Sequence, residues 1–347
     1  MSPVEAPSAV LRAEAQERLA GLATPAGALG RLGELAVWVA ATQGAVPPDP
    51  VDRIRAVIFA GDHGVADHGV SAYPKAVTPA MVRTFLAGRA GVSVLAAQHG
   101  VPVRVLDICV DDDLAGVDPA VQAFKVRRGC GAIHLEDAMS PAETQAALDA
   151  GAAVAAEEIA SGAQLLVSGD MGIGNTTPAA ALIAASLGVP AAEVTGRGTG
   201  IDEAALTHKI DVVQTALDRF ADRPTYDTDD PVDTLTALGS PDLAAAAGFM
   251  AAAANAGIPV LLDGVISVAS ALMAERLAPG AAAWFAAGHR STEPAQTLAL
   301  DKLGLDPVLD LGMRLGEGSG AVAAVPIVRS AALLLRNVAL LADLDLG

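Results

Sequence analysis

Aromatic side chains make up only 3% of this 347-residue chain, although 52% of its residues are hydrophobic. That scarcity excludes an aromatic-rich β sandwich and favours closely packed small-residue helices with short aliphatic strands. Cysteine is also rare: Cys109 and Cys130 are the only two, too few for a disulfide framework or a structural zinc site. Basic residues are outnumbered, with 22 Lys+Arg against 40 Asp+Glu and a formal charge of −18. A nucleic-acid groove or an anionic membrane surface is therefore excluded as a partner, and an anionic ligand would need local groups that overcome this field. The N-terminal MSPVEAPSAV lacks a basic segment followed by an apolar one. No secretory signal is read there, and a cytoplasmic protein is expected. One uncharged run, residues 243–262, has the length of a membrane span. Alanine partitions weakly into lipid, and Asn255, Gly257 and Pro259 interrupt the run, so it reads as a buried helix followed by a strand.

What is present is a regular alternation. Two helices are expected over residues 7–22 and 27–42, closed by the proline-rich VPPDP. From Ile54 short aliphatic runs alternate with helical stretches: IRAVIFA, the helical VRTFLAGRAGVSVLAAQ, VPVRVLDICV, a helix from Pro141, QLLVS, and a helix from Thr176. Further helices are expected over 201–220, 241–254, 265–277 and 291–303, with strands at IPVLL and AAWFAA. A polar stretch at 221–233 reads as mobile, and one long apolar helix is expected from Val322 to the C-terminus with Pro326 in its first turns. Strands of this length spaced by helices specify βαβ units, so the fold class is α/β: a doubly wound, Rossmann-like parallel sheet of about six strands. Residues 1–50 and 310–347 are expected to form a small helical domain beside the large domain of 51–309.

In open α/β sheets ligands bind at the carboxyl ends of the strands, and the loops after these strands carry the unusual residues. Gly61-Asp62-His63-Gly64 follows the first, and Gly169-Asp170-Met171-Gly172-Ile173-Gly174-Asn175-Thr176-Thr177 follows QLLVS. Asp263-Gly264 and Gly288-His289-Arg290-Ser291 follow the last two. The segment from Gly172 to Thr177 sets backbone N–H groups and hydroxyls before a helix, which is how a phosphate is held. An ordinary helix cap has the same appearance. Gly196-Arg197-Gly198-Thr199-Gly200, ahead of Lys209, and the cap at Ser291 add two more donor-rich helix starts. Neither the lysine-ended Walker spacing nor G-x-G-x-x-G occurs, which disfavours ATP and dinucleotides. Asp111-Asp112-Asp113 imitates a magnesium-pyrophosphate motif but lacks the glycine–hydroxyl loop that should follow, and Asp62, His63, Asp67 and His68 fit no metal-ligand spacing. No metal and no cofactor is expected. Glu317, between Gly316 and Gly318, can lie close to a ligand and, partly shielded from water, act as a general base.

TPAGALGRLGELA, AGDHGV, GVSAYPKAVT, GDMGIGNTT, GRGTGID, VLLDGVISVASAL, AGHRSTEP and LDLGMRLGEGSGA run through nearly the whole chain. In this order the segments resemble those of the nicotinate-nucleotide:dimethylbenzimidazole phosphoribosyltransferase family. The resemblance implies transfer of phosphoribose from nicotinate mononucleotide to a benzimidazole-type base with inversion at C1′, in cobalamin nucleotide-loop assembly, by a homodimer. It implies Glu317 as the general base. Gly172, Gly174, Asn175, Thr176, Arg197, Gly198, Thr199, Lys209, Gly264 and Ser291 are assigned to the nucleotide and its phosphate, and Tyr73, Met81, Met171 and Leu315 to the base pocket. Asp170 stands where the family frequently has glutamate, and is read as an electrostatic partner of the charge that builds on the ribose. Serine and glutamine are familiar near the positions of Tyr73 and Met81, so these departures bear on the choice of base. A different base, such as adenine or a phenol, is the same-class alternative. A non-catalytic nucleotide-phosphate sensor, or a metal-dependent hydrolase using His63 and Asp62, would belong to other classes.

Overall fold

The computed structural model describes residues 3–345. The aliphatic runs form β1 (Ile54–Gly61), β2 (Val103–Cys109), β3 (Leu165–Met171), β4 (Val260–Leu262) and β5 (Phe285–His289), and a sixth strand, β6, is Pro307–Leu309. All pairings are parallel, in the order β2-β1-β3-β4-β5-β6. The chain leaves β1 toward β2 and returns to β3 on the other side of β1. The connections therefore diverge at the carboxyl ends of β1 and β3, which opens a crevice there.

Both faces of the sheet are covered, so the strands are apolar nearly throughout. Val57, Phe59, Leu106 and Leu166 face one layer, with Phe249 edge-on to Phe59. Ile54, Ile58, Val105 and Val167 face the other, which the helix Ser319–Asn337 covers with Val325 and Val328. Few aromatics are needed because the helices pack at backbone contact. A Cβ added to Gly151 of Pro141–Ala160 would overlap the carbonyl oxygen of Ala245 in Pro241–Asn255, and one on Gly248 would overlap that of Leu148. The uncharged run is, as read, this buried helix leading into β4.

Helices from the two chain ends meet through Ala15, Ala36, Ala40, Ala331 and Leu335. The last helix stops at Asn337 rather than continuing to the C-terminus: Val338 turns extended, Leu340 bridges to Leu22, and Leu341–Asp343 is a single 3-10 turn. The helical stretch after β1 is likewise two helices, Val77–Leu86 and Gly91–His99, broken where Gly88 takes a left-handed conformation. The stretch 221–233, expected to be mobile, is tied down. The Tyr226 hydroxyl and Arg223 donate to Asp137, Arg276 donates to the Thr228 carbonyl, and Asp230 caps the helix Pro231–Leu238.

Candidate active site

A cavity of about 350 Å³ lies at the switch point. Its floor is the end of β3 and the turn after it, Asp170 to Ile173 with Asn175 and Thr176; residues 263–267 after β4 form one wall and His289, Ser291 and Glu293 after β5 another. Tyr73, Val77 and Met81 close the apolar end with Met171 and Leu315. Every site residue singled out from the sequence lines this cavity except Gly174, Arg197 and Lys209. Gly174 supplies the left-handed turn ahead of the helix Thr176–Leu187. Arg197 points outward, paired with Glu203 and donating to the Ile201 carbonyl.

Lys209 lies just behind the lining, fully buried, and its ammonium donates to Thr176 Oγ1 at 2.7 Å and to the Gly196 carbonyl at 3.0 Å. Burial pulls its pKa down to about 8, against the opposing pull of Glu293. Glu293 in turn accepts the Gly198 N–H at 2.8 Å, clamping the 196–200 loop beside the helix start. Arg314, which sequence reasoning missed, donates to the Gly198 carbonyl at 3.0 Å from the cavity rim. Thr199 accepts the Ala72 N–H at 2.9 Å and so ties the Tyr73 loop to this end. The N–H groups of a helix start, a buried ammonium and a guanidinium thus converge, the donor set that suits a phosphate despite the net negative charge.

Glu317 stands elsewhere in the same cavity. It is buried, with φ 65° between Gly316 at 78° and Gly318 at 88°. The left-handed run brings its main chain against β3, where a Cβ on Gly169 would overlap the Glu317 carbonyl. The carboxylate accepts the Val92 N–H at 3.3 Å, at the start of the helix Gly91–His99. Burial raises its pKa and the negative charge of Asp263 adds to this, while the Val92 and Gly91 N–H groups oppose it. A carboxylate so raised is a stronger base than one in water.

Asp263 is a second residue whose role the sequence left unread. Its Oδ2 accepts the Gly318 N–H at 2.9 Å, and its Oδ1 accepts those of Gly320 at 2.7 Å and Ala321 at 3.1 Å. It caps the last helix from across the cavity and thereby fixes the loop carrying Glu317. His289 packs on it at 3.3 Å. The only advance sign was an aspartate directly after a buried strand.

Asp170 lies on the floor, its Oδ1 accepting the Asn175 side-chain N–H at 2.7 Å. Burial, and then the neighbouring Asp242 carboxyl, raises its pKa well above the ordinary aspartate value, which favours the neutral acid. The acidic run Asp111 to Asp113 lies outside the cavity, paired with Arg128 and Arg83. Asp67 pairs with Lys75, and His68 stacks edge-on against His134. Among the described residues no group of three or more His, Cys, Asp or Glu is arranged to hold a metal ion.

A phosphate grip and a raised carboxylate opening on one crevice are the working parts of a group-transfer enzyme for phosphorylated substrates. The sequence matches the family model described as phosphoribosyltransferase over residues 4–344. The chain belongs to the nicotinate-nucleotide–dimethylbenzimidazole phosphoribosyltransferase family. It is 52% identical over 340 residues to the nicotinate-nucleotide--dimethylbenzimidazole phosphoribosyltransferase of Mycolicibacterium paratuberculosis, covering 98% of this chain and 96% of that one. The protein of the same name from Mycobacterium tuberculosis is 51% identical, covering 97% and 92%. The crystal structure of CobT from Thermus thermophilus is similar with a TM-score of 0.91 at 43% identity, over 97% of this chain and all of that one.

Proposed function

We propose that this chain transfers the 5-phosphoribosyl group from nicotinate mononucleotide to 5,6-dimethylbenzimidazole or a closely related base. The products are an α-ribazole 5′-phosphate and nicotinate. The observation that carries the reading is the placement of Glu317: a buried carboxylate of raised pKa held by a left-handed turn in the same cavity as the phosphate donors.

Each part of the reaction has a matching group. The phosphate is held by the Thr176 helix start, Lys209 and Arg314, with the 196–200 loop and Ser291 beside them. The flat base lies between Tyr73, Met81, Met171 and Leu315. Glu317 takes the N–H proton of the azole, whose other ring nitrogen attacks C1′ from the face opposite the pyridinium. The C1′–N bond breaks with its electron pair going to the pyridinium nitrogen, so nicotinate leaves with a neutral ring and needs no protonation. Attack from the opposite face turns β into α. The cavity holds both reactants together, so the second step of a bimolecular encounter is already made when the base arrives.

Incubation with nicotinate mononucleotide and a panel of bases, with free nicotinate as the readout, tests the proposal. Base-dependent release is expected, greatest with a benzimidazole; release of none would leave a nucleotide-binding protein, and release without a base would mean a hydrolase. The functional unit we propose is a homodimer, which the family resemblance supports and sedimentation equilibrium tests.

A further inference from the structure

Beneath the cavity floor lies a buried group of side chains that the transfer reaction, as written above, does not use. His63, after β1, and Asp242, in the first turn of Pro241–Asn255, are both fully buried, with His63 Nε2 at 3.1 Å from Asp242 Oδ2. That distance makes an ion pair, but the ring N–H is not aligned for a linear hydrogen bond, and neither atom has another partner. Asp242 abuts Asp170, and Oδ2 of Asp170 is also buried without a donor. Two interacting carboxyls this deeply buried do not both carry charge readily, so the pair holds one proton.

Glycines of two motifs pack against this cluster. A Cβ on Gly172 would lie 2.6 Å from His63 Nε2, and one on Gly61 would lie 2.8 Å from Asp242 Cγ. Gly61 and Gly172 therefore let the chain pass close over the imidazole and the carboxyl. The other ionisable groups around it are Cys109 at the end of β2, whose thiol is 3.6 Å from Asp242 Oδ1; Cys130, 3.9 Å from His63 Nδ1; and Asp62, whose Oδ2 accepts the Asp111 N–H and which Lys75 attracts. Burial pushes the Cys109 thiol well up, so it adds a weak donor and no charge. For His63 burial opposes the charged form, yet Asp242 outweighs it and the ring is held protonated. For Asp242 burial is in turn outweighed by His63, and it is held ionised.

We propose that His63 and Asp242 are positioning residues for the transfer reaction: Asp242 shares a single proton with Asp170 at the cavity floor, and His63 supplies the counter-charge that keeps the trio neutral. Resting on the function proposed above, the arrangement makes a negative charge movable. As positive charge builds on the ribose, the O–H bond at Asp170 breaks and one forms at the Asp242 carboxyl, so the negative charge passes to the cavity side. It returns when the neutral products form. No atom is gained or lost, and the resting site never carries an uncompensated buried charge.

Infrared difference spectroscopy of the ligand-free protein tests this without turnover. The carboxylic-acid carbonyl band of the wild type, assigned by its loss in Asp170→Asn, is expected at neutral pH and is expected to be lost in Asp242→Asn, where Asp170 ionises against His63. In His63→Gln the band should persist to a pH about one unit or more higher than in the wild type, because the counter-charge is gone. Absence of the band in the wild type, its survival in Asp242→Asn, or an unshifted titration in His63→Gln would overturn the proposal. Should Asp242→Asn not fold, the wild-type spectrum and the His63→Gln titration still decide. In the nicotinate-release assay both variants should lose about tenfold or more in kcat with KM for the nucleotide little changed, since the effect belongs to the transition state; equal changes in kcat and KM would also overturn it. If the wild type released no nicotinate, the function proposal would fail while these spectra stood unaltered.

Discussion

Glu317 is held in a backbone conformation that glycine prefers, and comparing Glu317→Ala with Glu317→Gly separates what the side chain does from what the turn costs. Both variants remove the carboxylate, so both should lose about 10²–10⁴-fold in kcat, the usual contribution of a general base. They differ only in a Cβ at φ 65°. A left-handed residue with a Cβ is disfavoured by about 1–2 kcal/mol, and glycine gives back about 0.4–1 kcal/mol through its freer unfolded chain. The glycine variant should therefore be the more stable by about 1 kcal/mol. Unfolding entropy near 2.1 cal/mol/K per residue gives about 0.7 kcal/mol/K for 347 residues. The expected difference in Tm is then about 1–2 °C, within reach of differential scanning calorimetry. A base placed for chemistry against the preference of its own backbone is the pattern of strain kept at a functional site. An alanine variant as stable as the glycine one would refute the strain argument, and near-normal turnover in either variant would remove Glu317 as the base.

Lys209 carries a pH prediction. Its ammonium is charged below about 8 and neutral above, so KM for the nucleotide should rise by about tenfold per pH unit on the alkaline side, as a lone ammonium titrates, and Lys209→Met should raise KM at neutral pH and flatten that limb; an alkaline limb unchanged in the variant would assign it to another group. Asp263→Asn removes the negative charge that adds to the raised pKa of Glu317, so the acid limb of kcat/KM should move to lower pH. Asparagine also turns a donor toward N–H groups that the carboxylate accepts, and leaving buried polar groups mispaired should lower stability by about 1–3 kcal/mol in thermal unfolding. An acid limb that stays in place would show that burial alone sets the basicity of Glu317.

The sheet was legible because βαβ units leave a local signature, short aliphatic runs spaced by longer helical stretches, and β1 to β5 each carry it. β6 does not: three half-buried residues opening on Pro307 are too short for any period to register. The break between Val77–Leu86 and Gly91–His99 was hidden for a different reason, since Ala87 to Ala90 are ordinary helix residues apart from one glycine. That break turns the Val92 N–H toward Glu317, a partner 225 positions away that no local pattern reveals.

The site divides along the same line. Asp170 at the end of β3, Asn175 and Thr176 at the helix start, and Glu317 all stand next to glycines that advertise unusual backbone, so their chemistry could be inferred before their geometry was known. Arg197 is the arginine that the sequence singles out, in Gly196-Arg197-Gly198, whereas tertiary packing turns it out to Glu203 and brings Arg314 to the rim. Asp242 is the extreme case. An acid in the first turn of an alanine-rich helix is what the helix dipole favours anywhere on a protein surface, and this one is fully buried against His63. Only when the parallel sheet brings the ends of β1 and β3 side by side does an ordinary helix-start aspartate face the two residues that give it a charge to balance and a proton to share.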